Sequence, residues 1–181
     1  MDQKTDAEIV ARVLKGDVQA YALLIEAYKG PVYNLAYRMT GVFPDADDLT
    51  QETFIRAYQK LYQFDQEKIF FTWLYTLAVN LIRNHLKKNA RDIAFFTAQH
   101  LSSASQSKDR GENPLSEDSA VQLDAAMQKL PVDIREVLIL KFHQEMTFEE
   151  VAAITGNSLS AVKMRVYRGL EKIKAILDKQ K

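Results

Sequence analysis

The sequence predicts an all-α protein in which two small helical domains are joined by a flexible linker, the C-terminal one a helix-turn-helix. Apolar residues recur at helical spacing along most of the chain, and no stretch shows the strict alternation expected of a β-strand. The composition changes abruptly after Arg91, because residues 97–120 offer few apolar side chains to bury. We therefore assign residues 1–91 to the first domain, residues 92–119 to the linker and residues 120–181 to the second domain.

The bulk composition restricts the classes of function open to this chain. Its 181 residues and apolar fraction of 47% are sufficient for folded domains. Cysteine is absent, which excludes disulfides and thiolate metal sites and fits a reducing cytoplasm. The most apolar stretch, residues 69–82, is too short to span a membrane. The net charge is zero, yet basic residues exceed acidic ones in residues 65–91 and 125–181, so a nucleic-acid partner remains possible.

Three helices are predicted before Gly41. The capping-box pattern of residues 5–8 opens the first helix, which closes near Gly16. The second helix carries a periodic apolar face, and the Gly30-Pro31 pair ends it. Pro31 can then begin a third helix that stops at Gly41.

A long helix is predicted from Asp45, its N-cap residue, to about Leu61. Besides its apolar face, this helix has a second face that carries Asp48, Gln51, Glu52 and Ile55. Exposed acids beside an exposed apolar residue are suited to protein docking, although a solvated and well-capped helix explains the same pattern equally well.

The following helix is predicted from Thr72 to about Lys88, after a loop with several aromatic residues. Opposite its apolar face lies a polar and basic strip made of Thr76, Asn80, Arg83, Asn84 and Lys87. Aromatic rings beside amide and cationic side chains are suited to holding the unstacked bases of single-stranded DNA. Core packing is the stronger interpretation for Phe70 and Trp73, whereas Phe64 lies in the loop itself and is harder to assign to a core.

The second domain is predicted to begin with a short helix that reaches Leu130, and Pro131 begins the next helix. A helix-turn-helix follows, with its first helix and Gly-Asn turn in residues 147–158 and its second helix in residues 159–177. Such a motif is what a protein needs to present side chains to a major groove.

The second helix of this motif is amphipathic and basic. Its packed side is predicted to hold Val162, Val166, Leu170, Ile173, Ile176 and Leu177. Its free side gathers Ser160, Lys163, Met164, Tyr167 and Arg168. Seven basic and two acidic residues in the stretch 160–181 suit contact with DNA phosphates. A merely solvated helix is the alternative, and the tight crossing indicated by residues 150–152 and Gly156 favours DNA reading over it.

Four stretches make the chain resemble the extracytoplasmic-function (ECF) sigma factors of bacterial RNA polymerase. They are residues 33–41 (YNLAYRMTG), 45–54 (DADDLTQETF), 71–80 (FTWLYTLAVN) and 130–168. The resemblance covers nearly everything outside the linker, and several ordered motifs are far more specific than a lone helix-turn-helix.

The resemblance implies that the two domains correspond to sigma regions two and four, that core RNA polymerase (its largest-subunit clamp and its flap) is a partner, and that no cofactor is needed. Docking on the polymerase would fall to Asp48, Gln51, Glu52, Ile55 and Arg56. Capture and melting of the minus-ten element would fall to Phe64, Lys68, Tyr75, Thr76, Asn80, Arg83 and Lys87. Reading of the minus-thirty-five element as duplex would fall to Ser160, Lys163, Met164, Arg165, Tyr167 and Arg168.

The chain departs from the family pattern at three positions of the second helix. Ala161 stands where Thr is frequent, Met164 where Ser is common and Gly169 where Ala is usual. The first two changes bear on base preference. Gly169 is expected to cost up to about 1 kcal/mol of helix stability relative to Ala.

Two other classes of function compete with this interpretation. A helix-turn-helix regulator that binds duplex operators without being a polymerase subunit would dimerise and bind duplex tightly alone. An enzyme is disfavoured because none of the three histidines has Glu three residues before it, so the Glu-x-x-His pattern of di-metal bundles is missing. Neither a cysteine nucleophile nor a phosphate-cradling glycine loop is present, so we expect no catalytic residue and no metal site.

We also expect an anti-sigma protein to hold the chain inactive, as is usual in the group that it resembles. The reason from the sequence is that both domains expose functional faces which nothing within the chain obviously covers. A cytoplasmic location follows from the same interpretation.

Overall fold

A computed structural model describes residues 3–99 and 119–179, and within those ranges the chain forms helices and no strand, as predicted. Most of the predicted linker, residues 100–118, lies outside the described residues. Short 3-10 turns, Val18–Ala20 and Leu61–Gln63, and a π-helical turn, Ile139–His143, join some of the helices. The helices are α1 (Gln3–Leu14), α2 (Tyr21–Thr40), α3 (Phe43–Lys60), α4 (Phe70–Gln99), α5 (Ser119–Gln128), α6 (Val132–Leu138), α7 (Phe148–Thr155) and α8 (Leu159–Asp178).

Helix α2 is continuous through Pro31, so the predicted break at Gly30-Pro31 does not occur. Proline removes one backbone hydrogen bond from a helix interior. Here the buried face of α2 runs unbroken from Leu24 to Met39, so tertiary packing on both sides of Pro31 outweighs that loss. The predicted stop is correct, since Gly41 ends α2 in the left-handed region at φ 74°.

Three of the predicted helix starts are displaced. Helix α1 begins at Gln3, so residues 5–8 lie inside it, and Asp6 is buried and accepts a hydrogen bond from the Tyr28 hydroxyl. Helix α3 begins at Phe43, with a proline in its first turn, so Asp45 is not its N-cap. Helix α4 begins at Phe70 and not at Thr72.

Helix α4 also ends later than predicted, at Gln99 and not near Lys88. It therefore crosses the boundary that the composition suggested at Arg91. The physical reason is that residues 89–99 contain no glycine or proline that would end a helix. The helix therefore continues past the position at which the composition changes. Helix α5 begins at Ser119, one residue before the predicted start of the second domain.

The N-terminal unit is a four-helix assembly in which α2 packs mainly on α3, and α4 packs on both. Val10, Leu24, Leu35 and Leu74 are fully or almost fully buried at its centre. The C-terminal unit packs α5, α6, α7 and α8 around buried residues that include Val137, Val151, Val162 and Val166. The buried apolar residues of the two units form one continuous cluster.

The two units are in contact with each other. Helix α4 lies against α7, and the C-terminal end of α2 lies against α5 and α6. The expectation that nothing within the chain covers the functional faces is therefore wrong for part of the α4 face.

Helix α8 packs on α6 at very short range, and Gly169 makes this approach possible. A Cβ atom at position 169 would lie 2.7 Å from Leu138 Cδ1 and 2.8 Å from Ile134 Cγ2. Side chains in a close-packed core cannot absorb such overlaps without moving. Val162, Val166 and Ile173 are buried as predicted, whereas Leu170 is exposed and does not belong to the packed side.

The substitution Gly169→Ala tests this close approach. Helix propensity alone predicts a gain of about 1 kcal/mol, whereas overpacking a core typically costs about 1–3 kcal/mol. We expect the overlap with Leu138 and Ile134 to dominate, so that urea unfolding of the full chain shows a lower midpoint for the variant.

The double variant Gly169→Ala/Leu138→Ala serves as the control. It removes one of the two side chains that the new methyl group meets and leaves Ile134 in place, so Gly169→Ala should be less destabilising in the Leu138→Ala background. A rise in stability from Gly169→Ala in the natural background would contradict the packing argument.

Candidate protein-docking and nucleic-acid interfaces

The helix-turn-helix is held by a set of caps that fix where α8 begins. Thr147 caps α7 through a capping box, because its hydroxyl accepts a hydrogen bond from the Glu150 amide at 3.1 Å and the Glu150 carboxylate accepts one from the Thr147 amide at 2.7 Å. Gly156 closes α7 in the left-handed conformation, at φ 67°. The Ser158 hydroxyl then accepts a hydrogen bond from the Ala161 amide and caps α8.

This arrangement leaves one side of α8 open to solvent as predicted. Ser160, Lys163, Met164, Tyr167 and Arg168 are all exposed, and Tyr167 keeps 63% of its surface accessible. The sixth predicted residue, Arg165, lies toward the edge of this side, where its Nε atom is 3.3 Å from the Asp133 carboxylate of α6. We call the exposed set the α8 stripe. It consists of Ser160, Lys163, Met164, Tyr167 and Arg168.

An aromatic ring that the sequence reading did not single out supports the α8 stripe. The Nζ atom of Lys163 lies 5.6 Å from the centre of the Phe148 ring, and that of Lys141 lies 4.9 Å from it. Both distances are within the range of a cation–π attraction. Phe148 follows the Thr147 cap directly, and this position at the start of α7 is the one feature of the sequence that could have indicated its role. It brings two cations together at one end of the stripe.

The predicted docking residues of α3 share an exposed face. Asp48, Gln51, Ile55 and Arg56 are exposed, and Arg56 donates a hydrogen bond to Glu52 at 2.5 Å. Two of them, Gln51 and Ile55, also line a mainly apolar groove between α2 and α3, with a volume of about 620 Å³. The other lining residues are Ile25, Lys29, Gly30, Tyr33, Asn34, Asp47, Thr50 and Phe54.

A stack of three aromatic rings continues from one wall of this groove. Tyr33 lines the groove and is nearly parallel to Tyr37, with 6.4 Å between ring centres. Tyr37 in turn stacks on Phe43 at 4.3 Å, and 59% of the Phe43 surface is exposed. The sequence reading placed no role here, because the stack joins α2 to the start of α3 and appears only in the folded chain. The groove and the stack together form a continuous surface with exposed apolar and aromatic groups.

The predicted minus-ten residues fall into two groups. Lys68, Asn80 and Lys87 are exposed and Thr76 is half-buried on α4, as their predicted roles require. Phe64 is buried, with its ring centre 5.0 Å from that of Trp73 and 5.7 Å from that of Phe70. Phe64, which the sequence made hard to assign to a core, is therefore a core residue, because the loop folds back and packs the ring edge-on to Phe70 and tilted against Trp73. Phe70 is buried and Trp73 half-buried, in line with the core interpretation.

The second group, Tyr75 and Arg83, is covered by the C-terminal unit. The Tyr75 side chain is fully buried, and its hydroxyl donates a hydrogen bond to the Gln144 Oε1 atom at 2.9 Å. Burial raises the pKa of the Tyr75 phenol well above its usual range. Arg83 donates two hydrogen bonds to Glu136 of α6, from Nε at 2.6 Å and from Nη2 at 2.5 Å.

Glu136 is 1% exposed in its side chain, and burial raises the pKa of its carboxyl group. The hydrogen bonds from Arg83 act in the opposite direction and lower that pKa. A carboxylate in this position therefore depends on its arginine partner to remain charged. The sequence reading assigned no role to Glu136.

Neither a metal cluster nor a membrane span is found in the described part of the chain. No group of three or more His, Cys, Asp or Glu side chains among residues 3–99 and 119–179 could hold a metal ion. The Asp45 carboxylate lies 2.9 Å from the His85 Nε2 atom. None of the helices that the structure describes is both long enough and apolar enough to cross a membrane.

Two family models match the chain, one to each helical unit. The model of Sigma-70 region 2 matches residues 24–92, and that of Sigma-70, region 4 matches residues 120–173. The ECF RNA polymerase sigma factor SigW of Bacillus subtilis is 34% identical over 175 residues, which cover 91% of this chain and 92% of that protein. The RNA polymerase sigma-H factor of Pseudomonas aeruginosa is 30% identical, with 98% of this chain and 96% of that protein covered.

A solved structure also resembles the whole chain. CnrH, whose structure was determined in complex with the cytosolic domain of CnrY, matches with a TM-score of 0.71 at 26% identity. The match covers 97% of this chain and 99% of CnrH. The likeness therefore extends over both helical units.

Replacement of Phe64 by alanine tests its place in the core. Removing a buried aromatic ring typically costs about 3–5 kcal/mol, so we expect Phe64→Ala to lower the thermal midpoint by several degrees or more. Lys68→Ala, in the same loop but exposed, is the matched control and should leave the midpoint nearly unchanged. Equal midpoints for the two variants, measured by circular dichroism, would show that Phe64 does not stabilise the fold.

Proposed function

This chain belongs to the ECF group of RNA polymerase sigma factors, and from that premise we propose how its two helical units divide the work at a promoter. Residues 1–91 bind core polymerase and the minus-ten element, and residues 120–181 bind the minus-thirty-five element. The observation that carries this division is that the region 2 and region 4 matches fall, in that order, on the N-terminal and the C-terminal helical unit. Sigma factors are not enzymes, so the chemistry of RNA synthesis belongs to the polymerase.

The α8 stripe supports duplex reading by the C-terminal unit. Its cations can neutralise phosphates, while Ser160, Met164 and Tyr167 offer hydroxyl and apolar contacts to base edges. The caps at Thr147 and Ser158 fix where α7 and α8 begin, and α8 packs on α7, so α8 is presented at a defined angle, as a recognition helix must be in order to enter a groove. Arg165, held by Asp133, is better placed for a phosphate at the edge of the groove than for a base.

The face of α3 and the adjoining groove support polymerase docking. Exposed charges at Asp48 and Arg56 surround apolar surface at Ile55, a combination typical of the rim and centre of a protein interface. The groove between α2 and α3 gives a partner side chain room to insert beside Gln51. Phe43 and its aromatic stack extend the same surface.

The exposed strip on α4, together with Lys68 in the loop before it, supports capture of the melted minus-ten strand. Lys68, Asn80 and Lys87 can contact phosphates and base edges directly. Phe64 is buried against Trp73 and stabilises the start of α4, so we assign it a structural role and no stacking contact with a base. Arg83 and Tyr75 become available to DNA only when the C-terminal unit moves away from α4.

We further propose that the protein acts in the cytoplasm and that an anti-sigma protein controls it. Core polymerase and promoter DNA, the partners of the proposed activity, are found in that compartment. The resemblance to CnrH, which was solved in complex with the cytosolic domain of CnrY, supports an inhibitor. Affinity purification of the chain from its native cells should recover such a protein under non-inducing conditions. Recovery of polymerase alone, together with constitutive promoter activity, would contradict this proposal.

The central experiment is transcription in vitro with core polymerase and fragmented genomic DNA. Addition of the purified chain should give new transcripts whose start sites share a minus-ten and a minus-thirty-five sequence. Sequencing of these transcripts identifies both elements at once. If no specific transcript appears with any genomic fragment, the assigned division of the promoter is wrong.

Substitution within the α8 stripe tests the proposed minus-thirty-five contacts. Lys163→Ala should weaken duplex promoter binding by the holoenzyme about tenfold and should lower the slope of log affinity against log salt by about one, because one phosphate contact is lost. Lys172→Ala removes the same charge from α8 outside the stripe and is the matched control. Equal losses in the two variants, measured by fluorescence anisotropy, would contradict a specific role for the stripe.

Replacement of Ile55 by alanine tests the docking face. Removal of an exposed aliphatic anchor at the centre of an interface should weaken the affinity for core polymerase about fivefold to thirtyfold, which corresponds to about 1–2 kcal/mol. Leu23→Ala removes a comparably exposed aliphatic side chain from α2 outside the groove and should have little effect. A titration of labelled core enzyme measures both, and equal affinities for the two variants would exclude Ile55 from the interface.

A further inference from the structure

Arg83 is the single predicted DNA-binding side chain whose guanidinium is ion-paired across the two units within the described residues. We propose that the C-terminal unit of this chain occupies its own minus-ten face, with Glu136 in the place of a DNA phosphate on Arg83, so that closure of the two units and capture of the melted strand exclude each other. This inference rests on the role proposed for Arg83. It assigns to Glu136 and its neighbours an inhibitory contact within the chain.

The geometry of the Arg83–Glu136 pair is that of a phosphate mimic. Both carboxylate oxygens accept hydrogen bonds from one guanidinium, at 2.6 and 2.5 Å, which is the two-pronged arrangement that arginine also forms with phosphate oxygens. Arg83 Nη2 additionally donates to the Thr155 carbonyl, the last residue of α7, at 3.3 Å. The guanidinium is thus held by both α6 and α7, and its Nε and Nη2 donors face protein and not solvent.

A second contact joins the units at the C-terminal end of α2. The last carbonyl groups of a helix have no partner within the helix, and they carry partial negative charge. Here Arg135 of α6 donates to the Met39 carbonyl at 2.6 Å, and Gln128 of α5 donates to the Arg38 carbonyl at 2.8 Å. The Arg38 side chain pairs in turn with Asp124, at 2.6 Å. The C-terminal unit therefore caps a helix of the N-terminal unit.

A third contact lies between these two. The Gln144 side chain accepts a hydrogen bond from Tyr75 at 2.9 Å and donates one to the Pro31 carbonyl at 3.1 Å. Gln144 thus bridges α2 and α4, and its amide is used on both sides.

These contacts exclude a DNA strand from the covered part of α4 for two reasons. The Nε and Nη2 donors of Arg83, which bind Glu136 and the Thr155 carbonyl, cannot bind a phosphate at the same time. The buried charge of Glu136 would also repel a phosphate that approached Arg83. A melted strand therefore gains Arg83 and Tyr75 only after the units separate, and its apparent affinity is reduced by the fraction of chains that are open.

Distance measurement between the units tests the closed state without DNA or polymerase. The chain has no cysteine, so Gln59→Cys and Lys174→Cys introduce one spin label on an exposed position of each unit. Double electron–electron resonance on the free chain should give one narrow distance distribution. Glu136→Gln removes the charge and keeps the shape, and it should broaden that distribution and raise the open fraction at least about tenfold.

Asp133→Asn is the matched control, because it removes a carboxylate from the same helix whose partner, Arg165, lies in the same unit. This variant should keep the narrow distribution. Gln144→Ala, at a half-buried position outside the apolar cluster, gives an independent second variant and should broaden the distribution through loss of the Tyr75 and Pro31 contacts. Circular dichroism confirms that each variant keeps its helices.

Either of two results would overturn the inference. A broad distribution in the natural chain would show that the units do not close, and a narrow one in Glu136→Gln would show that the ion pair does not hold them. Because neither measurement involves DNA, a closed chain that directs no specific transcript would disprove the promoter assignment and leave closure intact. Normal transcription by a chain that is always open would support the promoter assignment and disprove closure.

Discussion

The bidentate ion pair between Arg83 and Glu136 is the interaction on which the arrangement of the two helical units depends. It brings a charge that is 1% exposed into a contact between units, where only a matched and fully hydrogen-bonded partner makes burial tolerable. Helix α4 can hold this contact because its opposite face is anchored in the N-terminal core by Leu74, Ala78 and Ile82. One helix thus carries a core face, an exposed strip and a contact with the other unit.

Sequence reasoning predicted the features that depend on local chemistry. Gly41 and Gly156 end helices in the left-handed conformation, as their positions indicate, and the exposed residues of the α8 stripe follow from helical spacing alone. The same reasoning failed where distant contacts outweigh a local preference. Pro31 reads as a helix start, but burial along the whole of α2 makes it an interior residue.

The candidate site also contains parts that local sequence predicts and parts that depend on distant contacts. The faces of α3 and α8 could be predicted because each lies on one helix, whereas the shielding of Tyr75 and Arg83 depends on a chain segment more than fifty positions away. Phe64 illustrates a further difficulty, since an aromatic ring in a loop can face either solvent or core. Gly169 shows the opposite case, in which a residue that looks unfavourable for a helix is required by the neighbouring helix.

The turn at Gly41 has a mechanical consequence. Helices α2 and α3, which form the two walls of the groove between them, meet at this turn, and the Gln128 side chain lies 3.3 Å from the position that a Cβ atom would take there. The carbonyls capped by Arg135 and Gln128 lie in the same last turn of α2. A protein that changes the spacing of the groove walls therefore also moves the end of α2, to which the C-terminal unit is hydrogen-bonded. For a protein that does so, thermodynamic reciprocity requires that its binding and these contacts at the end of α2 influence each other by the same free energy.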